Sequence, residues 1–176
     1  MLTKYKVIVL FLFLQTSVFS QDLGKAYFAG GCFWCMEESF EKKEGVLEVI
    51  SGYSGGITKN PTYEEVTYED TGHFETIEIL FDKDKTNYQD LLDHFWKNID
   101  PFDEYGQFCD KGYSYRSVAF YENNEQKNLI EVSIMKLEKK FNKKIVTYVR
   151  KFDKFYKAED NHQNYYEVKF LNYLRY

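Results

Sequence analysis

Hydrophobic residues recur along this chain with two different periods, which separate predicted strands from predicted helices. At residues 75–81 the side chains alternate between apolar and other types, as in a strand with one buried face. After Thr86, and again after Asn123, apolar residues return at helical spacing. Gln89 and Gln126 stand three residues beyond these starts, a spacing typical of capped helix N-termini.

The whole pattern predicts strands at residues 25–29, 46–53, 75–81, 115–121 and 145–149, the last being the final strand. A first helix is predicted from residue 33 to 43, with Gly45 just beyond its end. Residues 55–72 and 100–114 are predicted loops, and the tail from Phe155 is predicted to be partly helical. This order predicts an α+β domain, with helices packed on a mixed, largely antiparallel sheet.

The first twenty residues have the organisation of a secretory signal peptide. Lys4 and Lys6 precede an apolar run at residues 7–14, and Ser20 supplies a small residue at the cleavage position. Because the run is well short of the roughly 20 residues of a membrane span, no stable membrane anchor is expected. We therefore expect cleavage after Ser20, which leaves a periplasmic or extracellular domain at residues 21–176. The alternative is that the segment is retained as an anchor.

Composition and charge exclude one class of partner. The chain is 44% hydrophobic and 29% charged, a balance typical of a globular domain. Its net charge is −5, and its sequence has no lysine or arginine stripe beside base-stacking residues, which argues against nucleic acid. We expect one domain and a monomer.

The three cysteines indicate redox chemistry. An odd number does not suit a structural disulfide framework, and Cys32 and Cys35 are too close in sequence to join distant parts of a fold. A zinc knuckle would need two further ligands, and the sequence has no second C-x2-C or H-x3-H pair. No metal and no other cofactor is therefore expected.

Cys32 is the candidate nucleophile. It lies between a predicted strand end and a predicted helix start, where free backbone N–H groups and the helix dipole favour a thiolate. The sequence therefore predicts a lowered pKa for Cys32. Cys35 follows one helical turn later, within reach of an oxidised Cys32.

Glu75 is the candidate acid. Side chains of a strand alternate between its faces, so Glu75 shares the apolar face with Ile77, Ile79 and Phe81. Burial there would raise the carboxyl pKa and keep a proton available near neutral pH. The alternative is an edge glutamate that reaches water. The histidines, His162 among them, are expected to be structural.

Several short motifs, in order along residues 24–170, resemble those of the type A peptide methionine sulfoxide reductases. They are Gly31-Cys32-Phe33-Trp34, Gly52-Tyr53-Ser54-Gly55-Gly56, Asn60-Pro61-Thr62-Tyr63, Asp70-Thr71-Gly72-His73 with Glu75, Asp110-Lys111-Gly112 with Tyr115-Arg116-Ser117, and Ala158-Glu159-Asp160 with His162-Gln163. The resemblance implies a ferredoxin-like α/β sandwich. It also implies reduction of the S epimer of methionine sulfoxide in oxidised proteins or peptides. Whether free methionine sulfoxide is also a substrate stays open.

The same resemblance implies roles for individual residues. Cys32 would attack the sulfoxide sulfur, while Glu75, helped by Tyr63 and Tyr115, would protonate and hold the oxygen. The Cys32 sulfenic acid formed in this way would condense with a second thiol to a disulfide. A thioredoxin-like dithiol would then reduce that disulfide.

The resemblance further implies a binding pocket and leaves two resolving thiols. Phe33 and Trp34 would enclose the ε-methyl group of the substrate, and Asp110 would line the polar side. No cysteine follows Cys109, so a C-terminal pair of recycling cysteines is absent from this sequence. Cys35 is the favoured resolving thiol and Cys109 the alternative.

Two other functions remain open from the residues alone. A C-x2-C pair near a strand–helix turn also suggests a thioredoxin-like dithiol oxidoreductase, although Pro61 and Pro101 lie in predicted loops rather than opposite the cysteines. The high aromatic content would also suit a peptide-binding module without catalysis, in which Cys32 and Glu75 are core residues.

Overall fold

The computed structural model describes residues 22–173, with side chains to Lys169. The predicted signal peptide at residues 1–20 lies outside the described residues. The strands are β1 (Leu23–Ala29), β2 (Val46–Ser54), β3 (Phe74–Asp82), β4 (Gly106–Gln107), β5 (Asp110–Lys111), β6 (Val118–Tyr121), β7 (Tyr148–Lys151) and β8 (Phe155–Lys157). The helices are α1 (Phe33–Glu41), α2 (Tyr63–Tyr68), α3 (Tyr88–Lys97), α4 (Asn124–Phe141) and α5 (Tyr165–Tyr173). Between residues 22 and 173, no helix is both long and apolar enough to cross a membrane.

One six-stranded sheet organises the chain, in the order β7-β6-β1-β3-β2-β8. Apart from α2 between β2 and β3 and the β4–β5 hairpin between α3 and β6, its four inner strands are connected as β1-α1-β2-β3-α3-β6. Neighbours among these four strands pair antiparallel. That connection and strand order are those of the ferredoxin-like fold. The predicted α+β class is therefore confirmed. The outer strands extend this unit, β7 parallel to β6 and β8 antiparallel to β2.

Aromatic side chains fill both faces of the sheet. On the face that carries α1 and α3, the ring of Phe28 lies 4.7 Å from that of Phe95 and 5.8 Å from that of Phe40. On the opposite face, Tyr27 and Phe152 stack at 3.7 Å. Burying one large apolar side chain stabilises a fold by roughly 1.5–3 kcal/mol, so these contacts hold the sheet and the helices in a fixed relation.

Two helices differ from the prediction: one was not predicted, and another begins at a different residue. The predicted loop at residues 55–72 contains α2, because Thr62 and Glu65 form a capping box in which each satisfies a backbone N–H of the other. The second predicted helix begins one residue later than expected. Asn87, rather than Thr86, accepts the backbone N–H of Asp90, at 3.0 Å.

Strand boundaries also shift after residue 100. The predicted strand at residues 115–121 begins only at Val118, because Tyr113–Tyr115 form a 3-10 turn. The predicted final strand at residues 145–149 is displaced to Tyr148–Lys151 by its pairing with β6, and it is not the last. The predicted partly helical tail starts with β8 and becomes helical at Asp160–His162 and in α5.

Candidate active site

Cys32 lies at the N-terminus of α1, directly after the Gly30-Gly31 turn that follows β1. Gly31 has φ +84°, and an added Cβ would lie 2.6 Å from the Cβ of Gln107, so a larger residue would not fit there. The carbonyl of Cys32 accepts the backbone N–H groups of Cys35 at 3.1 Å and of Met36 at 3.3 Å. Cys32 uses its carbonyl to begin the helix, and its side chain makes no capping hydrogen bond.

Glu75 faces α1 from the middle of the sheet and is 1% exposed. Its Oε2 accepts the backbone N–H of Phe33 at 2.9 Å, while its Oε1 is buried without a hydrogen-bond partner among the described residues. Burial raises its pKa to about 8, with the charges of Asp110 and Cys35 adding to the rise and the Phe33 N–H opposing it. The edge glutamate that reaches water is thus excluded, and strand alternation correctly predicted the burial.

Cys32 and Cys35 shift each other's pKa, in directions opposite to expectation. The interaction with the Cys32 side chain lowers the pKa of Cys35 to about 6, and the Tyr166 hydroxyl acts in the same direction. The same interaction, together with burial, raises the pKa of Cys32. The direction predicted for Cys32 was therefore wrong, since the lower pKa of the pair belongs to the more exposed Cys35.

Tyr63 and Tyr115 approach Glu75 from two separate elements. Tyr63 is the first residue of α2, and Tyr115 ends the 3-10 turn before β6. Burial raises the pKa of both hydroxyls, and the charge of Glu75 adds to each rise, so both lie within its electrostatic reach. The two tyrosines remain neutral hydrogen-bond donors at physiological pH.

Phe33 and Trp34 follow Cys32 in α1 and have different surroundings. Phe33 is 1% exposed and packs against the ring of Tyr53 at 5.9 Å. Trp34 is half-buried, and the ring of Tyr165 from α5 stacks on it at 3.8 Å with an interplanar angle of 6°. Helix α5 therefore covers one wall of the predicted methyl pocket.

Asp110 lines a cleft of about 290 Å³ together with both cysteines of the α1 pair. It belongs to the short β4–β5 hairpin, whose Gln107 packs beside Gly31. Cys109 stands in the turn of this hairpin and is exposed. The hairpin thus brings Asp110 into the cleft, whereas Cys109 is absent from its lining.

Three further residues complete the site and received no role from the sequence. Glu159 accepts the hydroxyl of the buried Tyr53 and the backbone N–H of Tyr63, both at 2.9 Å. The ring of His162 stacks on Tyr63 at 4.4 Å, and burial lowers its pKa. Tyr166 lies 3.4 Å from the sulfur of Cys35. Glu159 and His162 belong to a motif recognised in the sequence, whereas nothing in the sequence pointed to Tyr166.

Comparison with known proteins decides the family. The sequence model described as "Peptide methionine sulfoxide reductase" matches residues 24–176. The chain belongs to this family. Its activity is the thiol-dependent reduction of methionine sulfoxide to methionine, which decides against both the dithiol oxidoreductase and the non-catalytic peptide-binding module.

Individual relatives agree with this family. The peptide methionine sulfoxide reductase MsrA of Bacillus velezensis is 49% identical over 153 residues, which are 86% of each chain. Among solved structures, Mxr1 from Saccharomyces cerevisiae in reduced form matches with a TM-score of 0.77 and 26% identity, over 86% of this reductase and 90% of Mxr1. The structure of Mxr1 in complex with Trx2 matches with a TM-score of 0.57 and 20% identity, over 85% and 91% of the two chains, and shows the shared fold alone.

Proposed function

We propose that Cys32 is the nucleophile of this reductase and Glu75 its proton donor. The observation that carries this proposal is the hydrogen bond from the Phe33 N–H to Glu75 Oε2 at 2.9 Å, which fixes the acid beside the residue that follows Cys32. The other carboxyl oxygen has no partner among the described residues and is free to bond a sulfoxide oxygen. With pKa values of about 8 for Glu75 and about 6 for Cys35, a neutral acid and an ionised thiol pair coexist near neutral pH.

The first half-reaction transfers one oxygen atom. The Cys32 sulfur attacks the sulfoxide sulfur and passes its proton to the Cys35 thiolate, while Glu75 protonates the sulfoxide oxygen. The S–O bond of the substrate breaks and a new one forms on Cys32. Methionine sulfoxide is reduced by two electrons to methionine, and Cys32 is oxidised by two electrons to a sulfenic acid that carries the proton from Glu75.

Neighbouring side chains hold the substrate for this step. Tyr63 and Tyr115 donate hydrogen bonds to the sulfoxide oxygen from the two sides of Glu75. Trp34, which is half-buried, supplies an apolar surface for the ε-methyl group, with the buried Phe33 ring packed against it at 5.8 Å, and Asp110 lines the polar side. The electrostatic proximity of both tyrosines to Glu75 supports this arrangement.

Cys35 resolves the sulfenic acid, with Cys109 as the alternative. The Cys35 thiol gives up the proton that it received in the first half-reaction, and its sulfur attacks the Cys32 sulfur. An S–S bond forms and the S–O bond breaks, so that the hydroxyl leaves with that proton as water. Cys35 follows Cys32 by one helical turn in α1 and both cysteines line the same cleft, which supports this choice. Cys109 is exposed in a hairpin turn and lies outside the lining of the cleft that contains Cys32.

A thioredoxin-like dithiol is the proposed reductant of the Cys32–Cys35 disulfide. Cys35 is exposed, so a protein dithiol can reach this bond from solvent. The complex of the structural relative Mxr1 with Trx2 supports the same class of partner. Each turnover would then oxidise one external dithiol to a disulfide.

We also propose that the protein is exported and acts on oxidised proteins outside the cytoplasm. The charged start, short apolar run and Ser20 support cleavage of a signal peptide. Expression of the full chain, followed by fractionation and N-terminal sequencing, tests this proposal. A mature N-terminus at Gln21 in the periplasm or medium supports it, and an intact Met1 in the cytoplasm contradicts it.

Trapping the sulfenic acid tests the proposed roles of Cys32 and Glu75. In a Cys35→Ser/Cys109→Ser variant, one turnover with a methionine sulfoxide peptide and dimedone should label Cys32 in amounts equal to the methionine formed. Adding Glu75→Gln should slow labelling and methionine formation together. Labelling elsewhere, or an unchanged rate with Glu75→Gln, would contradict the assignment.

A further inference from the structure

The C-terminal helix reaches back to the thiol pair. Tyr166, the second residue of α5, lies with its hydroxyl oxygen 3.4 Å from the sulfur of Cys35, 131 residues away in sequence. The hydroxyl and the thiol are within hydrogen-bond distance for a sulfur partner, and both side chains retain exposed surface. The contact involves Cys35, the thiol proposed to accept the Cys32 proton in the first half-reaction and to attack the sulfenic acid in the second.

Contacts to α1 fix the start of α5. The Tyr165 ring stacks on the ring of Trp34 at 3.8 Å with an interplanar angle of 6°. The buried Glu37 of α1 lies beside the backbone of Asn164 and Tyr165, which opposes the rise of its pKa. The stack holds Tyr166 over Cys35 independently of any bond between the two.

The amide of Gln163 joins the same segment to the sheet. Its Oε1 accepts the backbone N–H of Ser51, and its Nε2 donates to the carbonyl of Ser51, both at 3.0 Å. The residues just before α5 are therefore attached to β2 as well as to α1. The Tyr166 hydroxyl is presented from a segment anchored on two elements.

We infer that Tyr166 is a positioning residue for the recycling step, its hydroxyl donating to the Cys35 thiolate that attacks the Cys32 sulfenic acid. This inference rests on the proposed resolving role of Cys35. It assigns α5 a part in recycling without a cysteine of its own. A hydroxyl donor stabilises the thiolate and restrains the direction of the attacking sulfur.

The charged groups around Cys35 explain why a donor is needed. Glu38 on α1 and Asp110 on the hairpin raise the pKa of Cys35 through their negative charges, and Glu75 lies within the same electrostatic network. Before turnover, the Cys32 thiol offsets them by lowering the pKa of Cys35. Oxidation of Cys32 consumes that thiol, whereas the Tyr166 hydroxyl remains. The contribution of Tyr166 should therefore be greatest in the second step.

A two-phase single-turnover experiment on the full chain separates the steps. Reduced enzyme is mixed with a methionine sulfoxide peptide without reductant, and methionine and the Cys32–Cys35 disulfide are quantified over time from pH 5 to 9. In Tyr166→Phe, methionine formation should stay within about twofold of wild type, whereas disulfide formation should slow about fivefold at pH 7. The midpoint of its pH dependence should also move to higher pH. The matched control Tyr68→Phe, at a tyrosine that is 81% exposed on α2, should leave both phases unchanged.

Two results would overturn the inference. One is wild-type disulfide formation in Tyr166→Phe at every pH. The other is equal slowing of both phases without a shift in the pH profile, which would indicate a merely structural contact. Cys35→Ser separates this from the underlying proposal: a Cys32–Cys109 disulfide formed there at the wild-type rate would refute the resolving role of Cys35 itself.

Discussion

Glu75 and Phe33 are joined by a 2.9 Å hydrogen bond from a helix N-terminus to a buried strand. The bond satisfies the first backbone N–H of α1 and orients the Glu75 carboxyl group through its Oε2 atom. Among the described residues, the other carboxyl oxygen, Oε1, has no hydrogen-bond partner. It links the element that carries the nucleophile to the element that carries the acid. Their separation is therefore set by backbone geometry rather than by flexible side chains.

Glu75→Gln should remove the proton donor and leave this hydrogen bond in place. The amide oxygen can still accept the Phe33 N–H, but the side chain has no acidic proton, so kcat/KM should fall about 10²- to 10⁴-fold. Because the pKa of Glu75 is about 8, wild-type activity should decline above that pH, and this alkaline limb should disappear in the variant. The exposed Glu48→Gln is the matched control. A variant with wild-type activity would exclude Glu75 as the acid.

The two candidate resolving thiols can be separated after one turnover without reductant. Cys109→Ser should form the Cys32–Cys35 disulfide at the wild-type rate, because Cys109 lies outside the cleft lining. Cys35→Ser should accumulate the sulfenic acid and lose turnover with a thioredoxin-type reductant. Peptide mapping of alkylated protein distinguishes the species. The reverse pattern in the two variants would assign resolution to Cys109.

Glu37 should make the folded protein less stable as the pH rises. Burial raises its pKa from the ordinary 4.5 to about 7, so between these values the unfolded chain releases the proton first. The free energy of unfolding should then decrease across this window, and Glu37→Gln should flatten the decrease by roughly 1–2 kcal/mol. Urea titrations from pH 4 to 8 measure it, with the exposed Glu44→Gln as control. If the free energy of unfolding of Glu37→Gln decreased with pH as much as that of wild type, the effect would belong to other groups.

Glu159→Ala should destabilise the fold through Tyr53. Tyr53 is 0% exposed, and its hydroxyl donates to Glu159, so the variant leaves a buried donor unpaired at a cost of about 1–3 kcal/mol. Chemical denaturation measures the loss. Asp160→Ala is the matched control, since that side chain is 97% exposed and its ion pair with Lys157 contributes little. Equal stability of the two variants would show that the Tyr53 bond is dispensable.

Local sequence patterns predicted the parts of the site that depend on the alternation of strand side chains and on glycine turns. Alternation along β3 put Glu75 on the buried face, and the glycine turn put Cys32 at a helix start. Helix α2 could have been predicted as well, because Thr62 and Glu65 have the spacing of a capping box.

Long-range contacts could not be predicted in the same way. The Tyr53–Glu159 bond spans 106 residues, and the Tyr166–Cys35 contact spans 131, so both depend on how β8 and α5 return to the sheet. The direction of the Cys32 pKa was missed for a related reason. It depends on the interaction with the Cys35 side chain and on burial, which helix position alone does not specify.

A stereoresolved assay of the reductase tests the central claim most directly. A peptide containing each epimer of methionine sulfoxide is incubated with dithiothreitol and either wild type or Cys32→Ser. The account predicts that wild type reduces the S epimer to methionine and that Cys32→Ser does not. Equal reduction by the two proteins, or no reduction of the S epimer by wild type, would contradict it.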